Sequence, residues 1–419
     1  MKEKHPTSHV TLFQKIVAIT LLVSPIIQTY GWGTFNFSFI LISILSIVNI
    51  FKKGLNSKSI PKFLFPFFIF WYFSHLATLT TISHIIHLGL IRVLLSLYLF
   101  YDCLDLKYFI LTYRKIAIGC ILFFFFQEFS YYTAGIRIPG VAWFLPNALV
   151  EDTASFLASM AEDERSSSFF SEPAHFVQFL LPLLIVELFA YVHVNWRRVI
   201  ILVITLLFLQ SGNAMVGLVI IGISYFYFLY FSKKISIVKK FIALTFVSLL
   251  SFVVIIGYVG SEKGSKLMDR SETLKSSSVD GLQYANSGFI RIWRGYFVFQ
   301  EYDLLYKIIG NSNSGYLDSK INQSSVSVFF VGEERYMNTI QYFLVTTGYV
   351  GLLLFFCFII SELKKTNVCG KVLLLLLVGL SFISYLFFTS TMLVCIILAH
   401  LMPRNTILDN KNLKQYNFC

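Results

Sequence analysis

Long apolar runs, parted alternately by short basic segments and by polar stretches, organise this chain. A membrane-crossing helix needs roughly 20 apolar residues, because the hydrocarbon core is about 30 Å thick and each helical residue rises about 1.5 Å. Runs of that kind cover 16–30, 35–51, 63–80, 84–101 and 116–132. Further ones cover 176–194, 199–210, 215–231, 241–259, 338–360, 372–389 and 392–402. The pattern predicts an all-α polytopic membrane protein of about twelve transmembrane helices. Two polar intervals, 133–174 and 260–337, are longer than a connection requires and predict two long extracytoplasmic loops.

The predicted organisation is an N-terminal membrane bundle over 1–132, the first outer loop over 133–174 and central membrane helices over 175–259. The second outer loop over 260–337, C-terminal membrane helices over 338–402 and a cytoplasmic tail over 403–419 complete it. The first apolar run lacks a small-x-small cleavage pattern and reads as a retained helix.

Composition strengthens this picture: 56% hydrophobic residues, 13% charged residues and a mean hydropathy of +0.72 describe a chain whose solvent is mostly lipid. The net charge of +12 then concerns topology rather than nucleic acid. With the N-terminus inside, the inner segments hold Lys52 and Lys53, Lys107 and Arg114, Arg197 and Arg198, Lys233 and Lys234, and Lys364 and Lys365. The short outer turns near 31–33, 81–83 and 211–214 hold no Lys or Arg. All six cysteines fall in predicted spans, inner segments or the tail, so neither outer loop has a disulfide to form. No metal-ligand spacing, phosphate-binding glycine loop or dinucleotide fingerprint occurs, and no cofactor is expected.

Candidate chemistry therefore sits in the outer loops. The first ends in Arg165-Ser-Ser-Ser-Phe-Phe-Ser-Glu172-Pro173-Ala-His175-Phe176 at the start of a span. Proline at a helix start and an acid beside a helix N-terminus have ordinary structural explanations. Together, Arg165, Glu172 and His175 also supply a cation, a carboxylate and an imidazole for an anionic, hydroxylated substrate. The second loop carries Arg291, Trp293, Arg294 and Tyr296, then Gly310 and Gly315, and reaches the next span at Asn338. If 288–309 is helical, Arg291 and Arg294 share one face, with guanidinium forks suited to phosphate and aromatic rings suited to sugars. The alternative is an interfacial helix whose arginines face solvent or lipid headgroups. Within the bilayer, Arg92 is expected either to pair with Glu187 or Glu128 or to line a substrate groove.

The run Ser-Ser-Phe-Phe-Ser-Glu172-Pro173-Ala-His175-Phe176 resembles the Arg, aromatic, Glu-Pro helix entry of Wzy-type oligosaccharide repeat-unit polymerases, within the O-antigen ligase and polymerase superfamily. Similar too are Leu209-Gln-Ser-Gly212-Asn-Ala, the Arg291 and Arg294 pair ahead of Gly310, and Asn338 followed by Gly348 and Gly351. The layout of helices and two outer loops matches over nearly the whole chain. Met337 stands where ligase-like members tend to carry His, so no catalytic histidine is transferred to that position.

The resemblance implies a GT-C-like fold in the bacterial inner membrane and glycosyl transfer on its outer face. An undecaprenyl-diphosphate-linked oligosaccharide would be the donor, with O-antigen or capsule the product. Arg165, Arg291 and Arg294 would contact diphosphate, and Glu172 or His175 would orient groups or accept a proton. Arg92, Trp293, Tyr296, Gly310, Gly315 and Asn338 would bind substrate. Partners implied are membrane lipid, a flippase and a chain-length regulator. A ligase that transfers polymer to lipid A core, and a flippase or secondary transporter, are the alternatives.

Overall fold

The computed structural model describes residues 10–32, 35–54, 69–70, 95–96, 98–99, 104–140, 145, 166–191, 193–231, 287–327, 337–386 and 390–402. Arg92, Arg165, nearly all of the apolar runs 63–80 and 84–101, and the run 241–259 lie outside these residues. Within them the chain is almost entirely helical. The elements are α1 (Leu12–Ile27), α2 (Phe37–Lys53), α3 (Leu106–Ala134), α4 (Pro173–Phe189), α5 (Trp196–Phe208) and α6 (Gly212–Phe231). They continue with α7 (Ser287–Gln300), α8 (Leu304–Ile309), α9 (Ser314–Gln323), α10 (Thr339–Lys365), α11 (Val368–Ser381) and α12 (Ser390–Leu401). Strand among the described residues is confined to β1 (Gly31–Trp32) and β2 (Phe35–Asn36), an antiparallel pair that turns the chain from α1 into α2.

Helix starts are written as side-chain caps. Asn36, Asp105, Asn195, Asn313, Asn338 and Asn367 each accept from the backbone N–H three residues on. Such caps satisfy first-turn donors that have no partner inside the helix, a need that grows where water is scarce. The α3 helix (29 residues) and the α10 helix (27 residues) are long and apolar enough to cross a membrane.

Several boundaries move from their predicted places. Asp105 caps α3 well before residue 116, so Arg114 lies within the helix and is buried. At the other extreme, α4 stops at Phe189 instead of 194, which places Glu187 in its last turn. The interval 288–309 is not one helix: α7 ends at Gln300 and α8 begins at Leu304.

Phe109, Phe124, Phe176, Phe343, Phe355 and Phe358 are fully buried between the helices. Outside that core, Ile118, Leu122, Phe126 and Phe129 form an exposed apolar stripe along α3 at spacings of three and four. Exposed Ile200, Ile204 and Phe208 do the same on α5.

Part of the expected second loop is packed onto α10. The α7 helix starts at the head of α10, where Gln341 Nε2 donates to the Ile292 carbonyl, and runs down beside it until Phe299 meets the Tyr349 ring edge-on at 5.3 Å. Gly310, just after α8, then lies against the backbone of Thr346 and Thr347. There α10 is broken, with Gly348 at φ 63° and ψ −164°, and the Asn311 N–H donates to the Val345 carbonyl at 2.9 Å.

Candidate functional site

The heads of α6, α10 and α7 and the end of α11 meet in one polar junction. Asn338 caps α10 and forms a reciprocal capping box with Gln341. Its side-chain amide also donates to the Phe382 carbonyl at 2.8 Å and to the Ile292 carbonyl at 3.5 Å. Next to it, the Thr339 N–H and hydroxyl both donate to the Ser384 carbonyl, and the Thr339 hydroxyl accepts from the Leu386 N–H at 2.7 Å. The Ser384 hydroxyl bonds Asn213 Oδ1 at 2.7 Å in the first turn of α6. Apart from the exposed Phe382, each partner is buried or half-buried, so these bonds leave few unsatisfied groups in a poorly hydrated place.

On α7, Gly295 makes the docking possible. A Cβ there would collide with the Gln341 side chain, which could then no longer reach Ile292. The junction holds Arg294 in a buried position (5% exposed), while Trp293 is 48% exposed and its ring lies 6.1 Å from that of the half-buried Tyr296. A buried guanidinium does not fit a helix whose arginines simply face solvent. Arg291 lies on the same helix, three residues earlier.

At the head of α4, Pro173 occupies the first turn and Glu172 is the cap residue, but the exposed Glu172 carboxylate makes no capping hydrogen bond. The half-buried His175 pairs through Nδ1 with the Ser171 hydroxyl at 2.9 Å. The approach to this helix is stapled to α3. Gln127 accepts from the Ser168 N–H at 2.8 Å and donates to the Ile138 carbonyl at 2.8 Å, while the Ser168 hydroxyl donates to the Cys120 carbonyl. Ser168 itself has φ 57°, a conformation that non-glycine residues hold only when their surroundings impose it.

Gly310 has a structural task here, while Gly315 is exposed. Gly310 allows the close approach to α10, and Gly315 lies in the first turn of α9 behind its Asn313 cap. Beside them the Tyr316 hydroxyl donates to Asp303 Oδ2 at 2.9 Å and Lys320 Nζ lies 3.5 Å from Asp303 Oδ1. The Tyr316 bond, helped by Lys320, holds the Asp303 carboxyl below its ordinary range. Burial, reinforced by the nearby carboxylate, pushes the Tyr316 hydroxyl up to about 12.

The opposite end of the bundle carries a buried ion pair. Glu187 (1% exposed) is held by Arg114 (7% exposed) of α3 and approached by Arg198 Nη1 of α5 at 3.6 Å. The Arg114 guanidinium also lies over the Tyr191 ring at 4.7 Å. Arg92, the partner expected for Glu187, lies outside the described residues. Glu362 is shared between Lys365 and His400 at 3.0 and 3.1 Å at that end. Among the described residues no three His, Cys, Asp or Glu side chains gather where they would hold a metal ion.

Sequence reasoning missed Gln341, Gly295, Ser384 and Gln127. Only Gln341 is signalled locally, by its place three residues after the capping Asn338. Comparison with protein families, with curated proteins and with solved structures finds no match.

Proposed function

We propose that the chain is a multi-pass protein of the bacterial cytoplasmic membrane, with about twelve spans, that polymerises lipid-diphosphate-linked oligosaccharide repeat units on the outer face. The membrane part is supported by the two long apolar helices and by the apolar stripes exposed on α3 and α5, which exceed what a water-soluble surface tolerates. The outer face is then the end at which α4, α6 and α10 begin, since basic Arg197, Arg198, Lys364 and Lys365 sit at the other.

The observation that carries the catalytic part is a convergence. Three stretches far apart in sequence, around Asn213, around Arg294 and around Asn338, share one hydrogen-bonded junction. These stretches also carry the resemblance to Wzy-type polymerases. A helix bearing two arginines, locked by polar contacts at the mouth of an apolar bundle, suits a ligand with phosphates at headgroup height and a sugar above them.

In this scheme the bond between the donor sugar's anomeric carbon and the diphosphate breaks, and the electron pair leaves on the diphosphate. Arg291 and Arg294 stabilise the charge that develops there. The acceptor hydroxyl oxygen forms the new glycosidic bond, and its proton passes to Glu172 or His175, the exposed carboxylate and the Ser171-bound imidazole. The leaving diphosphate needs no protonation.

Deletion of the gene tests the reading. Surface glycan reduced to a single repeat unit supports polymerisation, whereas polymer stranded on the lipid carrier means a ligase and units retained inside mean a flippase. Complementation with Arg294→Ala is expected to give single-unit glycan, on the scale of about a hundredfold loss in turnover for one charged transition-state donor. Full-length polymer from that variant would remove Arg294 from the mechanism.

A further inference from the structure

We infer that the apolar face of α8, made by Leu304, Leu305, Ile308 and Ile309, is immersed in the hydrocarbon of the outer leaflet, while Asp303 on its other side stays within reach of water. The partner assigned to its free face is the acyl chains of membrane phospholipid.

The sequence of α8, Leu304-Leu-Tyr-Lys-Ile-Ile309, turns four large apolar side chains outward. Leu304 is 77%, Leu305 60%, Ile308 43% and Ile309 39% exposed. At positions i, i+1, i+4 and i+5 they make one face of a helix. Tyr306, which stacks edge-on with Tyr316 at 4.7 Å, lies inward, and Asp303 at the N-terminal end is tied to Tyr316 and Lys320. The helix is thus amphipathic, with Tyr306 and the half-buried Lys307 on the side away from those four residues and Asp303 engaged by Tyr316 and Lys320.

What covers the apolar face follows from depth. Gly310 and Ile308 are clasped against Gly348, which lies about 14 Å along α10 from its first turn at about 1.5 Å per residue. Tyr349, adjoining the clasp, and Leu353, one turn further on, are themselves large and exposed on a helix long and apolar enough to cross a membrane. The α7 helix descends to the same level, since Phe299 meets Tyr349. If α10 crosses the bilayer, α8 is held at the height of residues that face lipid. Irregular backbone at such a depth has to be satisfied by protein, and the Asn311 to Val345 hydrogen bond with the buried Gly310 meets that demand. The inference rests on α10 crossing the membrane and is independent of the glycosyl-transfer reading.

The test uses the full-length wild-type chain in nanodiscs of phosphatidylethanolamine and phosphatidylglycerol carrying a photoreactive diazirine on the acyl chain. Adducts mapped to Leu304–Ile309, alongside those on the exposed apolar face of α3, are expected. Adducts on α3 with none on α8 overturn the proposal. A second measurement places a nitroxide at Leu305→Cys in a full-length chain whose native cysteines, the exposed Cys357 among them, are replaced by Ser, with Leu353→Cys as the lipid-facing reference and Ser319→Cys as the water-facing one. Loss of broadening by a water-soluble nickel reagent at Leu305, as at Leu353, is expected, and broadening equal to that at Ser319 overturns the assignment.

Discussion

Gly310 and Gly348 meet backbone to backbone, both at positive φ, and thereby join the segment after α8 to the interior of a long apolar helix. Each occupies space that a side chain would need. A Cβ on Gly310 would overlap the backbone of Thr346 and Thr347, and one on Gly348 would overlap Ile308 and Gly310. The break in α10 and the close approach of the loop are therefore one feature, built from two residues that lack a Cβ.

The first prediction follows from that overlap. Gly310→Ala and Gly348→Ala each combine positive-φ strain with a clash against backbone that cannot rotate away, and each should cost about 3 kcal/mol or more. Gly119→Ala and Gly222→Ala, at helical sites with open space, should be neutral or stabilising by roughly 0.5 kcal/mol. Thermal unfolding of the purified variants in detergent checks the contrast, and equal behaviour of the two pairs would refute it.

Gln341 gives a second prediction, this time about activity. Its amide grips α7 through the Ile292 carbonyl, and Gly295 leaves room for it. Gln341→Leu keeps the size but removes the donor, and Gly295→Ala fills the space. On the reaction proposed above, both variants should lower polymerisation by about tenfold, because arginines displaced by even 1 Å lose their alignment with the diphosphate, and both should also melt lower, since the Ile292 carbonyl loses a donor. Chain-length ladders from complemented cells report this, and wild-type ladders from both variants would show that α7 does not need this grip.

These residues mark how far the sequence could be read. Asn338 was legible as a helix start, and the helical runs were legible wherever apolar length decided the matter. Boundaries were less so, because the cap at Asp105 carries α3 through Lys107 and Arg114, charges that a hydropathy rule assigns to an inner loop. The same rule extended α4 beyond Phe189, whereas the helix ends there and Glu187 lies in its last turn, within reach of Arg114 and Arg198. In the candidate site, Arg294 and Asn338 were visible as residue types in suggestive places, but the bonds of Asn338 and Gln341 to the Ile292 carbonyl, two residues before Arg294, depend on how two remote helices pack. Nothing local in Gly310 distinguished a ligand-binding turn from a helix clasp.

The Arg114 and Glu187 pair yields a stability prediction with a built-in control. Removing one member leaves an uncompensated buried charge, so Glu187→Gln should destabilise by about 3 kcal/mol. The double variant Arg114→Met with Glu187→Leu removes both charges and should recover most of that loss. Arg198→Met, whose side chain is 44% exposed and only 3.6 Å from the carboxylate, should change stability by about 1 kcal/mol at most. Chemical or thermal unfolding of all four proteins provides the measurement, and a double variant as damaged as the single one would contradict a charge-compensation role.

Acid should weaken the clasped segment in a definite window. Tyr316 and then Lys320 stabilise the charged form of Asp303, so its carboxyl titrates lower in the folded protein than the unfolded value of about 3.9. A depressed folded value means that the contribution is complete above the unfolded one and disappears as pH falls through the folded one. Asp303→Asn should therefore lower the melting temperature slightly at neutral pH, and the gap to wild type should close as the pH drops below about 4. Tyr316→Phe removes the donor itself and should follow the same pH course, with a smaller effect if Lys320 continues to hold the carboxylate at 3.5 Å. A gap that stays constant from neutral pH down through this range would mean that the Asp303 charge contributes nothing and that the tyrosine packing against Tyr302 and Tyr306 holds the segment instead.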